Sequence, residues 1–151
     1  MTYYKEFKSL LRDHIDSLEK YVSNFRMSSD KVRKHIELSN RTYNAFDTED
    51  PVKLRIFVEY IASEARGFGW SFPENEFERL CENSFWEMHS KVRILIDKMT
   101  LSERLSYFGY SEEFEKIPEK HKSDRDRILH KIFVYNDTAL NRRSKKLPGF
   151  V

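Results

Sequence analysis

The stretch RDRILH, residues 125–130, carries the residue types best suited to chemistry in this chain: Arg125, Asp126 directly after it, and His130 five positions on. An imidazole moves protons near neutral pH, and a guanidinium stabilises an anionic transition state. The pair suits cleavage of RNA, which carries its own nucleophile in the 2′-hydroxyl. One group that moves the proton and one cation that meets the charged phosphorane are then enough, without a metal. The same letters also fit two polar residues on a charged helix. Asp126 suits a helix N-terminus after a capping Ser123, whereas Arg125 in a first turn stands against the helix dipole. Residues five apart on a helix differ in direction by about 140°, so Arg125 and His130 of one chain do not converge on one phosphate. A twofold dimer with its last helices face to face would line one cleft with both motifs.

The elements that must position this segment are helices. With only 4 Gly and 4 Pro in 151 residues, the chain has few breakers, and apolar residues recur at three- and four-residue steps. The spacing predicts an all-α, single-domain bundle of about five to six helices over residues 1–151, with one long central helix. Tyr4, Phe7, Leu10, Leu11, Ile15, Leu18, Val22 and Phe25 form the stripe of a first helix over about 3–26. Ser29 or Asp30 caps a second, with Val32, Ile36, Ser39, Tyr43 and Phe46 on one face. Asp50 before Pro51 opens a third, whose face is Leu54, Phe57, Val58, Ile61 and Ala65. From Pro73 a long helical pattern runs through Phe77, Cys81, Phe85, Met88, Val92 and Ile96 to Met99. Thr100 with Glu103 makes a capping box for a short helix that Gly109 ends. A polar connector over 110–122, with an extra turn around Phe114, leads to a last helix capped by Ser123. Its period continues through Ile132, Phe133, Asn136, Ala139 and Leu140.

Composition excludes several classes. Hydrophobic residues make up 39% and charged residues 34%, with 12 Phe, 8 Tyr and 2 Trp, so an aromatic-rich core is expected rather than a disordered chain. No apolar run approaches the length needed to cross a bilayer, and MTYYKEFKSLL lacks the layout of a secretory signal, which predicts a cytoplasmic protein without a membrane partner. The single Cys81 reads as core, with no second thiol for a disulfide or a zinc knuckle. His14, His35, His89 and His121 are scattered without metal-ligand spacing, so no metal is expected, and no cofactor either; His89 reads as a hydrogen-bonded residue at the core edge. No phosphate loop, zincin motif or nucleophile elbow is present. Net charge is only +2, but Arg142, Arg143, Lys145 and Lys146 form a local basic run that could meet RNA phosphates. Phe68 and Trp70 in the segment GFGWSF must either fold back on the core or meet a partner.

The order Arg, polar residue, three positions, His, in RDRILH resembles the signature of the HEPN superfamily, helical domains of prokaryotic toxin and phage-defence systems and of some eukaryotic RNases. The long helix ending in LIDKMTLSERLSYFGY, the connector and then RDRILHKIF are similar to the family's layout over roughly 77–140. Asp126 stands where the family most often has Asn, and Lys131 follows the histidine where a glycine is common. The resemblance implies a homodimeric, metal-independent endoribonuclease with Arg125, Asp126 and His130 in its site. The alternative is a non-enzymatic helical interaction protein, such as an immunity protein, an antitoxin or a phage-encoded inhibitor, acting through Phe68 and Trp70 or a charged face. A toxin of this kind would have an antitoxin or other protein partner.

Overall fold

A computed structural model describes residues 3–134, and among them the chain forms seven helices. They are α1 (Tyr3–Phe25), α2 (Asp30–Ala45), α3 (Pro51–Arg66), α4 (Glu76–Ile96), α5 (Leu101–Tyr107), α6 (Ser111–Lys116) and α7 (Lys122–Lys131). The all-α expectation holds. None of these helices is long and apolar enough to cross a membrane.

Local chemistry sets most of the boundaries. The Ser29 hydroxyl accepts from the Val32 amide at 3.3 Å, and the Asp50 carboxylate accepts from the Val52 amide at 3.0 Å with Pro51 in the first turn. Thr100 and Glu103 form the reciprocal capping box, at 3.1 and 2.8 Å. After α5 the chain reverses at Gly109, where φ of +75° favours glycine. The long fourth helix begins later than Pro73, because Asn75 caps it through the Glu78 amide at 2.9 Å.

α1 packs most extensively against α4 and also lies on α2, while α3 contacts α2, α5 and α7. Between them sits an aromatic core in which Phe7 and Phe57 stack at 5.1 Å and Phe46 meets Phe57 at 5.0 Å. Cys81 is buried in it, as expected, and burial pushes its thiol up to about 12. Phe25 closes the α1 stripe from the surface, 38% exposed with its ring 5.9 Å from Phe77.

The C-terminal third departs from expectation. Tyr110 is not part of an exposed connector. It is fully buried, its hydroxyl donates to Glu59 at 2.9 Å, and the Arg55 guanidinium lies 4.1 Å from its ring centre. The turn around Phe114 is α6, with Phe114 buried. Ser123 does not cap α7: the helix starts one residue earlier at Lys122, and the preceding His121 makes no side-chain capping bond. Nor does the helix continue past Lys131, because Phe133 turns to φ +65° and Ile132, Phe133 and Val134 are buried. The reason is tertiary. Arg104, 1% exposed, sends Nη1 to the carbonyls of Ile132 at 3.2 Å and Phe133 at 3.1 Å, and Nε to Met99 O at 3.1 Å. Groups that would have continued the helical ladder are satisfied by a buried guanidinium instead. Asn136, Ala139 and Leu140 lie outside the described residues.

Candidate functional site

A cleft of about 610 Å³ opens between residues of α3, α4 and α7. Its floor is apolar, made by Ile61, Ala62 and Ala65 of α3 with Phe133. One wall is aromatic: Trp70 and Trp86 meet edge to face at 6.4 Å, and His89 lies 5.0 Å from both the Trp86 and Phe133 rings. Arg66 at the end of α3 joins Ser123, Asp126, Arg127, His130 and Lys131 of α7 around the mouth. These α7 residues stand three and four apart and therefore share one helix face.

His130 and Asp126 are thus brought together in the cleft, and Arg125 is not among its lining residues. Its guanidinium sits 4.5 Å from the Phe114 ring centre on the α6 side, with a buried Nε that has no hydrogen-bond partner. The angular separation anticipated for these positions is what the fold delivers. The guanidinium nearest His130 in sequence on the cleft face belongs to Arg127, which was not singled out, and Arg66, Trp86 and Lys131 were missed likewise. The signal for Arg127 was present in the spacing of Ser123, Asp126, Arg127 and His130, which marks a single helix face. His89 is half-buried at the core edge as expected, but it makes no side-chain hydrogen bond among the described residues and instead lines the cleft, and burial first and Arg93 second hold its pKa below the ordinary histidine value. Asp126 is half-buried and has no hydrogen bond or ion pair among the described residues. Lys131 reaches Glu59 only at 3.7 Å, and Arg127 reaches Asp124 only at 3.9 Å, so both cations keep capacity for an anionic ligand. Arg142, Arg143, Lys145 and Lys146 lie outside the described residues.

The loop 67–72 divides its aromatics. Phe68 is buried and stacks on the His35 ring at 3.8 Å and 5°, whereas Trp70 and Phe72 are 77% and 88% exposed. The fold-back reading therefore holds for Phe68 and not for Trp70. Gly69 is clamped, its amide donating to Glu64 O at 2.8 Å and its carbonyl accepting from Trp86 Nε1 at 3.0 Å. A Cβ at Gly69 would lie 2.7 Å from the Trp86 ring, so only glycine allows this approach.

Beneath the loop, two histidines that looked scattered form one buried chain. Ser84 Oγ lies 2.8 Å from His14 Nδ1, His14 Nε2 lies 2.8 Å from His35 Nε2, and His35 Nδ1 lies 2.6 Å from Glu64 Oε1. The carboxylate can only accept, which makes His35 Nδ1 the donor and leaves its Nε2 to accept from His14. His14 Nδ1 then accepts from Ser84. This order needs both rings neutral, and burial lowers both pKa values, that of His14 to about 3 with His35 as the second cause. The chain ties α1, α2, α3 and α4 together and supports Phe68. Each histidine stands within its helix's apolar stripe, which was the available signal.

Compared with known protein families, curated proteins and solved structures, the chain has no match.

Proposed function

We propose that the α3–α4–α7 cleft binds single-stranded RNA and that the protein is a HEPN-like, metal-independent endoribonuclease of a toxin or antiphage system. The observation that carries this reading is the company His130 keeps: Arg66, Arg127 and Lys131 for phosphates, with Trp70 and Trp86 beside them for bases. Stacking on an indole suits any base, and three cations around an apolar floor suit a charged backbone. His130 moves the proton at the 2′-hydroxyl or at the leaving oxygen, and the Arg127 guanidinium meets the charge on the phosphorane. His89, kept neutral by burial, is available as an acceptor on the opposite wall. Arg127 supplies within one chain the cation that the resemblance assigns to Arg125. The homodimer implied by the resemblance is the arrangement that would add Arg125 to the cleft.

The second reading, a non-enzymatic interaction protein, is favoured by one observation, the 77% and 88% exposure of Trp70 and Phe72 on a clamped loop. Expression in bacteria separates the two. The nuclease reading expects growth arrest that His130→Ala abolishes. An interaction protein leaves growth unchanged, or arrests it equally with and without His130.

A further inference from the structure

We propose that Asp126 makes this cleft selective for guanine. The inference rests on the reading of the cleft as an RNA site and adds which base that site takes. Among the described residues lining the cleft, Asp126 is the only carboxylate, in a mouth otherwise bearing Arg66, Arg127 and Lys131. It is half-buried and has no partner among the described residues. Helix electrostatics do not account for it, since Asp124 and not Asp126 is the acidic residue in the first turn of α7. In a site that takes up phosphates, an unpaired carboxylate is repulsive unless the ligand brings donors to it.

Among the bases, guanine alone offers two adjacent donors, N1–H and the N2 amino group, on its Watson–Crick edge. Adenine and cytosine each place an acceptor beside a donor, and the single N3–H of uracil is flanked by two carbonyls. An ionised carboxylate is acceptor-only, so it accepts hydrogen bonds from both guanine donors at once and repels an acceptor on any other base. Stacking on Trp70 supplies affinity without choosing, while Asp126 supplies the choice.

Fluorescein-labelled hexauridylates with one central G, A, C or U, made 2′-deoxy around that position to block cleavage, give the comparison by fluorescence anisotropy. The G oligonucleotide is expected to bind roughly 5- to 140-fold tighter than the U oligonucleotide, the range for one bidentate base contact. Asp126→Asn is expected to remove that preference and move it towards A, because a carboxamide presents one acceptor and one donor. Its affinity for the U oligonucleotide should hold or rise with the loss of a negative charge. Trp70→Ala should weaken all four oligonucleotides alike. Equal binding of all four by the parent, weakened by Trp70→Ala, overturns guanine selectivity and leaves the RNA cleft standing. A G preference that survives Asp126→Asn overturns the assignment to Asp126. No binding of any oligonucleotide overturns the cleft reading and this inference with it.

Discussion

Acidification should destabilise this protein through the buried histidine chain. His14 has an ordinary pKa of 6.5 and a folded value of about 3, set by burial first and by His35 second. Its depressed value means that the unfolded chain takes up the proton first, so the stabilisation is complete above the unfolded value and is lost as pH falls from 6.5 towards 3. Across that window each pH unit costs about 1.4 kcal/mol per histidine, so bringing the protein to about pH 5 costs about 2 kcal/mol from His14 alone. His35 is shifted in the same direction, with Glu64 partly offsetting its burial, and titrates jointly with His14. The groups facing the two rings are Ser84 and Glu64, with Ser39 and Tyr60 close by; they include no cation, and Glu64 is the one carboxylate among them. Urea unfolding followed by far-ultraviolet circular dichroism reads the effect. With m of about 1–3 kcal/mol/M, the midpoint should fall by roughly 1 M between about pH 7.5 and pH 5. His14→Gln can still donate to His35 and accept from Ser84 but does not titrate, so its midpoint should fall by roughly one proton's worth less. A parent midpoint that is flat over this range, or a variant that falls as steeply as the parent, refutes the neutral buried pair.

Arg104→Met strands the Ile132, Phe133 and Met99 carbonyls and should destabilise by on the order of 3 kcal/mol in urea unfolding, with Arg104→Lys restoring only part because an ammonium cannot fork. Gly69→Ala puts a methyl against the Trp86 ring, costing roughly 1–3 kcal/mol; a melting temperature equal to the parent's would show that the clamp yields freely. Trp70→Ala should leave stability within about 0.5 kcal/mol of the parent, because the ring is 77% exposed, and should weaken RNA binding by about 1–3 kcal/mol in anisotropy titrations.

The elements were legible wherever local chemistry sets them. Asp50 with Pro51, Ser29, and Thr100 with Glu103 each announce a helix start because the capping side chain bonds an amide only two or three residues away. The end of α7 was not legible, since Ile132 and Phe133 keep the helical period and only Arg104, about thirty residues earlier, removes their carbonyls from the ladder. Tyr110 misled for a related reason. Its neighbours are polar, but its own partners, Arg55 and Glu59, come from a different helix. At the site, the motif's letters drew notice to Arg125, whereas the helix face decides that Asp126, Arg127 and His130 share the cleft. The cleft's other wall, Trp70 and Trp86, is assembled from a loop and a helix that sequence spacing does not relate.

The most direct test of the central claim is cleavage of end-labelled single-stranded RNA by the purified protein in the presence of a chelator, with three single-alanine variants run beside the parent. The account predicts cleavage by the parent and a loss of roughly 10²–10⁴-fold in rate for His130→Ala, with a comparable loss for Arg127→Ala and unchanged circular dichroism for both. Arg125→Ala should cleave like the parent if the cleft of one chain is sufficient; a loss as large as that of His130→Ala, with light scattering showing a dimer, would move the site to a pair of chains. RNA left intact by the parent, or cleaved equally by parent and His130→Ala, would contradict the nuclease reading.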